Sequence, residues 1–395
     1  MKKILIFVSA VFAASLFGAD VQKTPDLLKK TELFDNVEMF EARSIYTDQK
    51  ANVQLLKKYA ADPKAFKDSQ LFPIAICLLT TRDFRSAIDV LEKLDKAKPN
   101  NVAVLRTLGS VYFLARDMDK AVAAYKKAVD LGDKPSVVYC CSALAMSGKT
   151  AEIGKYVPQL KEVAESNLEA LNLLVSYAIR GKDASVEAEV KAVQEKMDVR
   201  KVLRSATPET MRLTMRLYTE KPALWTTRAL VVPARAAALF EQWPLALECY
   251  GKVLAQNPAD TLALRGMGLV NYRLGDVPAA AESIKKAFDN GDKDAAIDGV
   301  ELFLLSKYKF VWDMFGDKFD VSKSSPDVRA GLLEYASQND GCADMFFDAL
   351  EGEGADIFFK NTRLRDLIRK ALDKYGSDSR SKAVAERWYK AGAQL

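Results

Sequence analysis

Two stretches decide the fold of this chain when set side by side: Lys126-Lys127-Ala128-Val129-Asp130-Leu131-Gly132-Asp133-Lys134 and Lys285-Lys286-Ala287-Phe288-Asp289-Asn290-Gly291-Asp292-Lys293. Seven of the nine positions are identical, at an offset of 159 residues. Self-similarity at a fixed spacing marks a repeat architecture, and missing it misreads the whole fold. Gly132 and Gly291 stand where a helix should stop, because glycine takes the left-handed conformation of a helix C-cap at little steric cost.

A shorter period runs inside the longer one. Ala87 and Ala121 are 34 residues apart, as are Ala246 and Ala280. Phe84/Met118, Leu91/Tyr125, Trp243/Val277 and Tyr250/Ile284 keep that interval. Within each unit the apolar positions recur at three and four residues, the spacing of one helical face, so each unit reads as two amphipathic helices. Short polar turns such as Ala115-Arg116-Asp117 and Leu274-Gly275-Asp276 separate the two. No segment alternates with a period of two, so the spacing predicts almost no sheet.

These units resemble the tetratricopeptide repeat family, in which the first helix carries a bulky residue, Leu-Gly and Tyr. Its second helix carries Ala, an aromatic residue and Ala before a Pro. Unit 102–135 has Leu105, Leu108-Gly109, Tyr112, Ala121, Tyr125 and Ala128 at the matching positions, with its proline late at Pro135. Unit 261–294 has Leu264, Met267-Gly268, Ala280, Ile284 and Ala287, with Asn271 where tyrosine is usual. Weaker units begin near residues 68 and 227. Small residues at Gly109, Ala121, Gly268 and Ala280 would let the helices of a hairpin approach closely, with Tyr125 and its equivalents filling the groove between hairpins. The resemblance implies an all-α fold, an α-solenoid of stacked helical hairpins in a right-handed superhelix. Each hairpin then needs only its neighbours, which explains how 395 residues avoid a single oversized core.

The remaining chain divides around these units. Residues 1–19 read as a leader: Lys2 and Lys3 form a basic start, Ile4–Phe17 is uncharged and apolar, and Gly18-Ala19 precede the polar Asp20-Val21-Gln22-Lys23. The apolar run is shorter than the roughly 18–20 residues that span a bilayer. Residues 20–66 form an N-terminal helical segment, and 67–195 hold tetratricopeptide-like hairpins. An irregular helical connector follows at 196–226, with Thr207-Pro208-Glu209 as a helix start. Hairpins resume over 227–294, and 295–395 supply C-terminal helical hairpins and a cap. The leader places the protein in the periplasm or outside the cell.

Composition removes much chemistry. The chain has 58 Lys+Arg, 53 Asp+Glu, 49% hydrophobic residues and no histidine. Without histidine there is no Ser-His-Asp or Cys-His nucleophile, no His-bound zinc and no imidazole pH switch. The charge, +5 overall, falls to +3 without Lys2 and Lys3, too near neutral to argue for nucleic acid. Five cysteines (Cys77, Cys140, Cys141, Cys249, Cys342) form no CxxC pair and read as small hydrophobes. The α-superhelical lytic transglycosylases share export and a helical solenoid, but carry their glutamate in a lysozyme-like domain with glycine-rich motifs that this sequence lacks. Asp340-Gly341-Cys342-Ala343-Asp344 lacks the alternating oxygen ligands of a calcium loop, and Glu351-Gly352-Glu353-Gly354 lacks the Lys-Ser/Thr of a phosphate loop. No catalytic residue, metal or cofactor is expected.

By the same resemblance, the first helix of each repeat lines the inner face. The positions pointing there are Ala103, Arg106, Thr107, Ser110, Phe113 and Leu114 in one unit. In the other they are Leu262, Arg265, Gly266, Leu269, Tyr272 and Arg273. Arg106 matches Arg265 and Phe113 matches Tyr272. An arginine fork beside an aromatic ring suits a carboxylate or carbonyl of a peptide, so Arg106, Phe113, Arg265, Tyr272 and Arg273 are the candidate partner-binding residues. Arg228 and Arg235 would extend this basic lining. Solvated arginines and rings packed between repeats are the alternative. Farther on, Glu334–Asp356 holds seven acidic and no basic residues, and Lys360–Leu395 ten basic and four acidic. Such blocks steer a partner or face each other across neighbouring helices. Helix 362–375, apolar on one side and basic around it, suits a membrane surface or a terminal cap.

These readings converge on a non-catalytic scaffold or adaptor in the bacterial cell envelope, holding a peptide or protein segment in its groove. The alternatives are an enzyme or accessory subunit of peptidoglycan and glycan metabolism, and a peripheral membrane-surface assembly factor.

Overall fold

The structure is a computed structural model that describes residues 49–181, 184–351 and 354–392. The expected leader, 1–19, and residues 20–48 of the N-terminal segment lie outside the described residues. Among the described residues the regular structure is entirely helical: α-helices and short 3-10 turns, with no strand. Two compact units divide the chain between residues 233 and 234, and the described residues of each form a helical-repeat solenoid of stacked hairpins.

In the first unit α1 (Gln49–Ala61), α2 (Asp68–Thr80), α3 (Phe84–Ala97), α4 (Val102–Leu114), α5 (Met118–Asp130) and α6 (Lys134–Met146) pack in sequence order. A 3-10 segment at Thr150–Tyr156 leads to α7 (Val157–Ala164), followed by α8 (Leu168–Gly181) and α9 (Ala184–Lys196). The connector is more ordered than its broken period implies. It contains α10 (Val199–Arg204) and α11 (Pro208–Glu220), the latter capped by Thr207. Helix α11 packs on α8, where the Thr214 hydroxyl donates to Asn172 Oδ1 at 2.9 Å and Asn172 Nδ2 donates to the Thr210 carbonyl at 2.9 Å. Both side chains are buried, so this small polar network is satisfied where it must be.

Helix α12 (Val231–Leu239) contains the division between the units. Beyond it the second unit stacks α13 (Trp243–Gln256), α14 (Thr261–Arg273), α15 (Val277–Asp289), α16 (Ala295–Ser306) and α17 (Lys309–Phe315). It continues through α18 (Pro326–Gln338), α19 (Ala343–Glu351), α20 (Asp356–Lys360), α21 (Thr362–Lys374) and α22 (Ser381–Gly392).

The helix starts repeat because their caps do. Asp83, Asn101, Asp117, Asp133, Asp260 and Asp276 each accept a hydrogen bond from the backbone N–H three residues on. Such caps contribute about 1 kcal/mol each. The turns inside the hairpins repeat equally: Arg82, Arg116, Glu241 and Gly275 have φ of 64°, 67°, 60° and 86°. At each, the next residue's N–H closes the turn on a carbonyl of the first helix, for example Asp117 on Tyr112 at 2.9 Å and Asp276 on Asn271 at 2.9 Å.

Close helix approach follows from the small residues. A Cβ on Gly109 would fall 2.6 Å from the Tyr125 ring, and one on Gly268 would fall 2.7 Å from Ile284. Tyr125 is fully buried and meets Tyr139 of the next hairpin with ring centroids 5.6 Å apart. All five cysteines are buried thiols, none of them bridged in a disulfide.

The C-terminal charge blocks face each other. Arg363 pairs with Glu334 at 2.6 Å, Lys374 with Asp340 at 2.7 Å, Arg380 with Asp344 at 2.6 Å and Arg387 with Asp356 at 2.9 Å. Helix α21 buries Ile368 and Ala371, packs on α18, and lodges Leu364 and Leu372 against the same core. Arg365 lies over the Trp388 ring of α22 at 4.6 Å while Trp388 Nε1 donates to the Arg365 carbonyl at 3.0 Å. The apolar side that a membrane contact would use is therefore inside the molecule. No described helix is long and apolar enough to cross a membrane.

Candidate partner-binding site

The inner-face positions expected from the repeats fall on α4 in the first unit and α14 in the second. In the first, Arg106 does not project freely. Its Nε donates to Asp133 Oδ2 at 2.9 Å, and its Nη2 pairs with Oδ1 of the same carboxylate. Asp133 is only 8% exposed, and it also caps α6, accepting from the Ser136 N–H at 3.2 Å and hydroxyl at 2.5 Å. A bidentate guanidinium–carboxylate pair thus ties the first helix of one hairpin to the start of the next. Thr107 and Ser110 are buried, and their hydroxyls bond back to the Ala103 and Arg106 carbonyls. The Ser110 hydroxyl also meets that of Tyr125 at 3.0 Å. Phe113 and Leu114 remain half-buried at the end of the helix.

One acid on α8 lies outside the expected lining. Glu169 is half-buried and accepts from the Ser142 hydroxyl of α6 at 2.7 Å. Burial pushes its carboxyl above the usual carboxylate range, and the Ser142 bond only partly offsets that.

The second unit repeats the arginine arrangement with more acids. Arg265 Nε donates to Asp298 Oδ2 at 2.5 Å and Nη2 donates to Asp298 Oδ1 at 2.9 Å. Nη1 reaches Asp292 Oδ2 at 3.5 Å, and Asp294 lies 4.0 Å away. The bond to Asp298 holds the guanidinium above its ordinary pKa despite the opposing effect of desolvation. Tyr272 is half-buried against the unit's core, and Arg273 is exposed at the last turn of α14. Gly266 points into the Tyr250 ring and so serves packing. Of the two further arginines, Arg228 donates to the Met197 carbonyl at 3.1 Å, and Arg235 is exposed and bonds to Tyr250.

The site residues thus separate into two kinds. Arg106 and Arg265 are each paired with carboxylates of their own chain. Phe113, Tyr272 and Arg273 keep surface in reach of a partner. The acids that occupy the arginines were partly legible, since Asp133 and Asp292 stand at the same place in the two quoted stretches. Asp298 and Glu169 carry no repeat signal. Among the described residues, no three cysteine, aspartate or glutamate side chains converge as metal ligands.

The Tetratricopeptide repeat family model matches residues 74–134 and 234–297. No curated protein matches the chain. Among solved structures, the chain is similar to the APC/C hetero-tetramer Cut9–Hcn1, at 13% identity over 80% of this chain and 55% of that one, with a TM-score of 0.35. It is similar to a tetratricopeptide repeat protein from Parabacteroides merdae at 13% identity, over 72% of this chain and 98% of that one, with a TM-score of 0.30. A third likeness is to Naa15/Naa10 bound to HypK-THB, at 12% identity over 94% of this chain and 64% of that one, with a TM-score of 0.35. The chain spans 55% of the first of these.

Proposed function

Because residues 74–134 and 234–297 match the tetratricopeptide repeat model, we propose that the chain is a non-catalytic scaffold whose first-helix faces hold a protein or peptide partner. Proteins of this family generally mediate protein–protein interactions. The observation that carries the reading is the pairing of Phe113 with Tyr272, rings left half-buried at equivalent ends of α4 and α14. Aromatic rings of this kind supply contact area at low entropic cost, while the neighbouring arginines hold the face in shape. The cell envelope is the setting we propose, on the strength of the leader-like residues 1–19.

Photo-crosslinking in intact cells from positions 113 and 272 tests the reading. A discrete adduct at both, stronger than from the exposed outer-helix position Lys126, is the expected result. Labelling no stronger than at Lys126 would overturn the face assignment. Release of soluble fragments from purified peptidoglycan would instead favour the glycan-enzyme alternative. An intact mass lacking residues 1–19 is expected for the protein recovered from cells.

A further inference from the structure

Side chains join neighbouring helices along one side of the first unit. Arg106 of α4 bonds Asp133 at the start of α6, Ser142 of α6 bonds Glu169 of α8, and Asn172 of α8 bonds Thr214 of α11. The first link sets a cation against an anion, and the third joins two neutral groups. The middle link is different. The Ser142 hydroxyl donates to Glu169 Oε1 at 2.7 Å, and among the described residues no cation joins them. Cations of the neighbouring elements are engaged or turned away. Lys134 of α6 pairs with Glu162 at 3.0 Å, and Lys161 of α7 with Glu189 at 3.5 Å. In the connector Lys201 pairs with Asp198 at 3.5 Å, and Arg204 Nε donates to the Arg200 carbonyl at 3.3 Å. Arg212 and Arg216 of α11 each stand two residues from Thr214, about 160° round the helix from the side that meets α8. Arg180, on α8 itself, is about 16 Å farther along the axis, beyond the screening length of about 8 Å at physiological salt. None of these charges offsets what burial does to the Glu169 carboxyl. Glu169 is half-buried rather than sealed, so a group from outside can reach it. An uncompensated acid at this depth weakens the fold, and such departures from stability gather at functional sites.

We propose that Glu169 receives a lysine side chain of the partner segment, whose ammonium bonds the second carboxylate oxygen. Ser142 holds Oε1, so Glu169 does not offer the open two-oxygen fork with which Asp133 takes Arg106. A compact ammonium needs one oxygen only, which selects lysine over arginine. Tyr139, one turn before Ser142 on α6 and half-buried, adds an aromatic ring on the same helix face, a further attraction for a cation. An acidic side chain at this point would meet like charge, which works against binding. The inference rests on the scaffold reading and gives its partner a chemistry: cationic at Glu169, where the arginine forks alone imply an anionic ligand.

The test uses the full chain in intact cells with the crosslinker at position 113, and then the captured region of the partner as its probe. Glu169→Gln keeps an acceptor for Ser142 and removes the charge, so the variant is expected to fold, which circular dichroism checks. Its adduct at 113 is expected to fall at least about fivefold, while the adduct at 272, in the other unit, is unchanged. The crosslinked region is then made as a fluorescent peptide of about 15 residues, long enough in extended form to run from α4 to α8, and read by anisotropy. The peptide should bind the parent chain at least about tenfold more tightly than its lysine-acetylated form, and Glu169→Gln should bind the two forms alike. An adduct at 113 indifferent to Glu169→Gln would overturn the inference. So would a crosslinked region without lysine, or an acetylation penalty that persists in Glu169→Gln. In those cases the adducts at 113 and 272 still support the scaffold reading, without this partner chemistry. If neither adduct forms, the scaffold reading falls and the lysine site with it.

Discussion

Arginine in a repeat groove invites a ligand role, but Arg106 is held in a bidentate pair by Asp133, which also caps the following helix. A hydrogen bond to a charged group contributes about 1.5–3 kcal/mol, and removing one partner leaves the other buried and unsatisfied. Arg106→Met is therefore expected to lower the free energy of unfolding by about 1.5–3 kcal/mol in urea titration. An unchanged midpoint would show the pair to be idle. Glu169 yields a pH-dependent prediction. Burial raises its carboxyl pKa in the folded chain, so folding favours its protonated form. Its contribution is neutral well below the unfolded value near pH 4.3, turns unfavourable as pH rises past that value, and is fully unfavourable above the folded value. Glu169→Gln should thus be more stable than the parent at pH 7, with the difference vanishing below about pH 4. A stabilisation equal at both pH values would exclude ionisation as its cause.

At the scale of the helix and turn, the sequence was legible where a residue type has one physical use. Gly109 and Gly268 face side chains that leave no room for a methyl group, as their place in the pattern implied. Gly109→Ala is expected to cost about 1–3 kcal/mol through overpacking against Tyr125. The turns were less legible. Arg82, Arg116 and Glu241 occupy the left-handed region although none is a glycine, and only Gly275 announces it. The capping bond that follows each turn is strong enough to impose the conformation locally. Arg116→Gly should relieve that strain and stabilise the first unit by about 0.5–1 kcal/mol, after the extra entropy lost by glycine. A loss of stability in thermal melts would count against the strain. The short helices at 309–315 and 356–360 span too few residues to display a period. Helix α11 lay where the repeat falters, yet Thr214 and Asn172 bind it into the first unit through a long-range contact no local pattern reveals.

Over the whole molecule the charge distribution serves the fold before it serves a partner. The acidic and basic blocks of the C-terminal third neutralise each other through exposed pairs, which individually contribute about 0–1 kcal/mol. With no histidine, the chain has no side chain that ordinarily titrates between pH 5 and 8. At the ends of the first helices two rings, Phe113 and Tyr272, stay half-buried. On the proposed reading the inner-face arginines hold the repeats and the surface beside them holds the partner, a division of roles that one paired measurement tests most directly. Thermal melting and cellular crosslinking would be compared in Arg106→Met with the crosslinker at 113, and in Arg265→Met with it at 272. The expected result is a melting temperature lowered by about 2–4 °C for each kcal/mol lost, with crosslinking still above the Lys126 control. Unchanged melting with crosslinking reduced to that control would contradict it, and would make the arginines the ligand anchors.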